Sequence, residues 1–214
     1  MIRALLDGRK TQARMCIKSV GGIGPVTEFH PTDTPGYDWI FRDKRLLWNY
    51  LCNDDLLSRC PYGVPGDRLW VRETWGVHLH LSGCKPSNLP DMTQDYFGVS
   101  YRATPRQKDI WVNRWRRSTH MPRRLSRITL EVVDVRVERV NAISRSDVRA
   151  EGAITEEWDE WREDAQFVAL PYGSHIENEI DVFESLWDSI NGKKPGRDWA
   201  SNPWVWVVEF KVVP

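Results

Sequence analysis

At 214 residues, with 41% hydrophobic and 28% charged side chains, the chain is long enough for one large domain or two small ones, and too apolar to be disordered. Its 30 basic and 30 acidic residues cancel, so attraction to a polyanion has to come from local asymmetry rather than from the total. No apolar run approaches the roughly 20 residues that cross a bilayer, and the first residues lack the apolar segment of a signal peptide, which points to the cytosol.

In chain order, residues 2–6 read as a short helix with Gly8 as its stop. The Gly/Pro/Thr-rich stretch 21–37 reads as loop, and 41–57 carries apolar residues at both helical and strand spacings. In CPYGVPGDRLWVRETW, Pro61, Gly63, Pro65 and Gly66 form turns ahead of a strand that carries Leu69, Trp70, Val71 and Trp75. Residues 96–102 read as another strand. SRITLEVVDVRVERV is the strongest local signal: alternation holds on both sides of Val132-Val133 and slips by one residue there, which predicts a bulge in one long strand. Ser144 or Ser146 then caps a short helix that stops at Gly152. Two further helices are expected over 156–165 and 177–190, the second with Ile180, Phe183, Leu186, Trp187 and Ile190 in one stripe. NPWVWVVEFKVV closes the series as a strand begun by Pro203. Strands around a helical middle predict one α+β domain on a bent or barrel-like sheet.

Charge and rings are unevenly placed. Between 102 and 127 there are nine cations against Asp109 alone, with Trp111, Trp115 and His120 among them; between 147 and 184 there are twelve acids and two bases. Cations interleaved with rings suit a polyanion whose bases stack, and they equally suit a loop balanced by the acidic helices of the same molecule. The four cysteines show no C-x-x-C spacing and read as reduced thiols. His78 and His80, placed on one strand face near Cys84, lack a further ligand at suitable spacing, and neither metal nor cofactor is expected.

Three pieces together resemble a known family. GRKTQAR after a short helix, PGDRLWVRETW as the next strand and DVRAEG after a long strand are similar to ASCH domains of the PUA-like superfamily. With HMPRRLSRITLEVVDVRVERV and the closing NPWVWVVEFK, the chain looks like the long ASCH-like proteins of bacteriophages and prophages, with insertions near 21–53 and 158–175. The resemblance implies a small β-barrel with flanking helices, and a cleft that binds RNA, single-stranded nucleic acid or a modified nucleobase or nucleoside inside a bacterial host cell. It also implies an enzymatic alternative, an amidohydrolase of acylated cytidine or a ribonuclease. By position, Lys10 and Glu151 match the family's lysine and glutamate; its threonine falls on Ala13, which offers no nucleophile.

Lys10 acts as a base only if its pKa falls well below the ordinary value; charged, it holds a phosphate or polarises a carbonyl, and in the plainest case it is a solvated lysine past a helix end. Thr11 and Arg14 join Lys10 and Glu151 as candidate site residues. Asp67 closes a turn or enters the cleft, and Arg72 and Glu73 point to opposite faces of their strand. Trp111, Trp115 and His120 are candidate ligand contacts, with proton transfer by His120 in the ribonuclease case. A third reading has the acidic helices bind a host protein.

Overall fold

The computed structural model describes residues 2–89, 98–104, 109, 111–154, 168–169, 175–176 and 178–213. Helix α1 (Ile2–Leu6) ends where Gly8 takes φ +73°, a conformation costly to a residue with a Cβ. The chain reverses there, Lys10 N–H donating to Ala4 O, and enters β1 (Gln12–Cys16). Next come β2 (Ser19–Val20), β3 (Gly24–Pro31), β4 (Trp39–Asp43), β5 (Trp48–Leu51) and α2 (Asn53–Ser58). The stretch 21–37, expected as loop, is loop at both ends but holds β3 between them: Pro25 and Pro31 lie near the strand's two ends, where a missing N–H costs little, and Val26 and Phe29 pair with β4.

Strands β6 (Arg68–Trp70), β7 (Trp75–Val77) and β8 (Val99–Tyr101) follow. The predicted strand over Leu69–Trp75 is therefore broken after Trp70, and Arg72 and Glu73 lie in the gap. His78 and His80 are not on a strand either: both follow the end of β7, in a 3-10 turn that His78 caps, their ring centroids 4.7 Å apart.

The long strand is β9 (Thr129–Arg139). Val132 pairs with Phe210 and Asp134 with Glu209, so Val133 is the extra residue of a bulge, where the alternation slips. Leu130 and Val132 before it, and Val135 and Val137 after it, thereby face the same core. Helix α3 (Arg145–Ala150) starts from a capping box of Ser144 and Asp147, and Gly152 (φ +67°) turns the chain out of it. Beyond the two-residue ladder of β10 (Val168–Ala169) and β11 (His175–Ile176), α4 (Glu179–Asn191) is capped by Asn178. Its Phe183 and Trp187 are buried while Ile190 is exposed, so the stripe is narrower than the sequence implies. The helix expected over 156–165 lies outside the described residues. Strand β12 (Trp204–Val213) completes the series.

The fold is mixed α+β and mostly sheet. A curled half-barrel sheet runs β1-β12-β9-β6, and a second runs β2-β3-β4-β5. Between them lies one core, with Phe41, Leu56, Ile128, Val132 and Trp206 almost fully buried. The segment read as an insertion thus covers one face of the main sheet. The other face carries α3 and α4 over Val205, Val207, Val148, Phe183 and Trp187. Strand β12 supplies both cores, because successive side chains alternate between faces. A further apolar cluster around Trp75, Val77, Met121 and Leu125 supports the basic segment.

Candidate functional site

Two groupings of charge emerge. The first lies between the main sheet and α3. Across β1, β12 and β9 the register aligns Gln12 with Glu209 and Asp134, Arg14 with Val207 and Arg136, and Cys16 with Val205 and Glu138. These share one face, and α3 lays Asp147 and Glu151 over it.

Lys10 Nζ donates to Glu151 Oε2 at 2.8 Å, Glu151 O at 2.8 Å and Gln12 O at 2.7 Å. Lys10 and Glu151 are only 4% and 7% exposed, and 141 residues separate them in sequence. Three acceptors are as many as an ammonium has protons, so this arrangement leaves Nζ no hydrogen bond to give to a ligand. Arg14 pairs with Glu138 at 3.0 Å, Asp147 at 3.2 Å and Glu151 at 3.5 Å. Arg136 reaches Glu138, Asp147 and Glu209, and donates to Gln12 Oε1. Burial pushes the Asp147 carboxyl up, but hydrogen bonds from Ser144 and the Arg14 charge more than reverse this and hold it below its ordinary value. Glycine at 152 is required twice over: its φ is positive, and a Cβ would stand 2.8 Å from Ala4 Cβ and 3.0 Å from Lys10 Cβ. Gln12 Nε2 and Arg14 Nε are buried without hydrogen-bond partners among the described residues. The opposite charges around them are what lets Lys10, Arg14 and Glu151 be buried.

Of the residues expected beside Lys10, the structure brings together Arg14 and Glu151. Thr11 is exposed, its N–H tied to Ala150 O. Ala13 packs into the core between the two sheets, on the face of β1 opposite Arg14. Asp67 closes its own turn by accepting from Val64 N–H at 2.9 Å. Glu73 is buried against Arg127, a two-pronged pair at 2.8 and 2.9 Å, and Arg72 lies exposed over the Trp70 ring. Sequence reasoning missed Gln12, Arg136, Glu138, Asp147 and Glu209. The signal for Arg136 and Glu138 was opposite charges at alternate positions of β9, a pattern that reads equally well as a solvated face, and Gln12, Asp147 and Glu209 lie on other elements.

The second grouping is open. A cleft of about 570 Å³ runs between 82–86 and 114–120, lined by Lys85, Arg114, Trp115, Arg116, Arg117 and His120, and no carboxylate among the described residues lines it. Arg116 is its fixed strut: its guanidinium donates to the carbonyls of Leu81, Ser82 and Cys84 and stacks over Trp75. Burial, aided by the nearby Arg114 charge, holds Arg116 below its ordinary pKa. Lys85, Arg114 and Arg117 are exposed and pair with no carboxylate among the described residues. Trp111, 51% exposed, stands 6.1 Å from His78 rather than in the cleft lining. Arg106 and Lys108 of the basic segment, and seven of the twelve acids of the stretch 147–184, lie outside the described residues. Among the described residues no three His, Cys, Asp or Glu side chains are grouped to hold a metal.

No family model, curated protein or solved structure matches the chain.

Proposed function

We propose that the protein is a PUA-like, ASCH-type binder of single-stranded nucleic acid, RNA foremost, and that the strand lies in the basic cleft. One observation carries this reading: Lys85, Arg114 and Arg117 line a ring-bearing cleft to which the described residues contribute no acid. Unpaired cations held that close repel one another, and a phosphate backbone is the partner that relieves them. Trp115 and His120 supply flat surfaces for unstacked bases, a combination suited to single strands rather than duplex. The Lys10–Glu151 network then positions α1, β1 and α3 and does not touch the strand.

The test is titration of labelled single-stranded RNA and DNA at two ionic strengths. Three phosphate contacts give a slope of log affinity against log salt of about −2, and Arg117→Ala flattens it by about 0.7. No binding at low salt, or binding indifferent to Arg114→Ala and Arg117→Ala, refutes the cleft.

The buried pairing of Lys10 with Glu151 favours a second reading, amide hydrolysis at that pair. It requires Lys10 to break one of its three hydrogen bonds, each to a different acceptor, and Ala13 presents its methyl to the opposite face of β1. The expected result is no acetate release from acetylcytidine, by the native chain or by Ala13→Thr; turnover in either restores the enzymatic reading.

A further inference from the structure

Among the described residues nothing covers the outer edge of the second sheet, and strand β5 pairs with β4 alone. Asp43 N–H donates to Leu47 O and Asp38 N–H to Leu51 O, so the odd-numbered residues of this stretch turn their backbone groups toward β4. Trp48 and Tyr50 therefore direct N–H and C=O outward, and no partner meets them among the described residues. The same two residues expose their rings, at 45% and 41%, beside exposed Tyr37, Leu46 and Leu47. Edge strands are ordinarily blunted by very short length, charged side chains, proline or a bulge; Trp48–Leu51 is a strand of 4 residues without charge, proline or bulge.

The two ends of this edge carry opposite charge. The β4–β5 turn presents Lys44 and Arg45, although Arg45 also pairs with Asp43; the first turn of α2, just past β5, presents Asp54 and Asp55. Such an edge complements its own antiparallel copy, since a two-fold brings the basic turn of one molecule to the acidic helix end of the other. It opposes a parallel partner, which would align like charges.

We propose that this edge is a homodimer interface, in which β5 of two copies pairs antiparallel about a two-fold axis at Asn49. That register is selected by the hydrogen bonds. It sets Trp48 against Tyr50 of the second copy and the reverse, so that all four outward N–H groups find carbonyls. It also lines the four rings along one face, where cross-strand aromatic pairs are favourable. A register shifted by one residue would set Tyr50 against Asn49, mixing the outer and inner faces of the sheet. The inference is independent of the basic cleft, which lies on other segments.

Sedimentation of the native chain over a dilution series, ending at about 100 μM, reads the assembly state. A dimer that dissociates on dilution is expected, and Trp48→Lys raises its dissociation constant at least about tenfold. Asn49→Cys reads the register: residue 49 lies opposite its own copy at a non-hydrogen-bonded position, where Cα atoms approach to about 4.5 Å, close enough for a disulfide. On mild oxidation it should cross-link far beyond the native chain, while Tyr50→Cys should not. A monomer at every concentration overturns the proposal. So does a dimer that neither weakens with Trp48→Lys nor cross-links through Asn49→Cys, including one that forms only when nucleic acid is added. Circular dichroism of each variant confirms that a lost dimer is not a lost fold.

Discussion

At the scale of single residues, the Lys10–Glu151 pair has a definite thermodynamic signature. Removing one partner of a buried ion pair leaves the other charge without compensation, so Lys10→Met or Glu151→Gln should each cost about 3–5 kcal/mol in urea unfolding. The two losses overlap, and the double variant should be much less destabilised than their sum; additive losses would show that the two residues act separately. Asp147 makes a prediction in pH. Its folded pKa is depressed, so its contribution to stability is present above the unfolded value and is lost as pH falls through the folded one. The stability gap between the native chain and Asp147→Asn should accordingly narrow between about pH 5 and 3, and a gap that stays constant over that range would mean that Arg14 and Arg136 do not depend on the carboxylate's charge. The Lys10 and Glu151 positions are singled out by a resemblance to family motifs and not by spacing or periodicity. The sequence did not disclose their burial, because a lysine after a helix end looks the same whether β1 leads it outward or inward. Arg14 pointed the same way: its neighbours Ala13 and Met15 are the apolar ones, yet its own side chain is fully buried among acids.

At the scale of elements, the bulge in β9 decides which side chains the main sheet offers to the core. Deleting Val133 would leave a regular strand but turn either Leu130 and Val132 or Val135 and Val137 outward, and the protein should fail to fold cooperatively. Val133→Thr, at a position 50% exposed, should change stability by no more than about 0.5 kcal/mol in the same unfolding assay. This element was the most legible, since alternation with a single slip has one simple physical meaning. So was α3, whose Ser-x-x-Asp start and glycine stop are both side-chain chemistry. The second sheet was not legible. Its strands carry prolines, glycines and exposed rings, as edge-rich and solvent-facing strands do, and those residues also mark loops. The gap after Trp70 was hidden for a different reason: Arg72 and Glu73 keep an alternating in-and-out placement without a neighbouring strand, because the Arg127 pair and the Trp70 ring fix them in turn.

At the scale of the whole molecule, a formal charge of zero conceals a strong internal separation. The sheet-and-helix side holds a network in which acids and bases neutralise one another, whereas among the described residues no acid lines the cleft beside its cations, so neutrality of the total says little about what the molecule attracts. The order of the main sheet has a consequence in time. Strand β12 lies between β1 and β9, so the partners of residues 12–16 are residues 205–209, almost two hundred positions later. A ribosome at work must release β1, the whole second sheet and β9 before the strand that joins β1 to β9 exists, and until then both cores stand open with their apolar faces wet. Refolding after dilution from urea should accordingly be slow, in the range of about milliseconds to seconds, as for sheet proteins dominated by distant pairings. Nascent chains arrested before residue 204 should be digested by protease throughout β1 and β9, and protection should appear abruptly, in both strands together, once β12 has emerged.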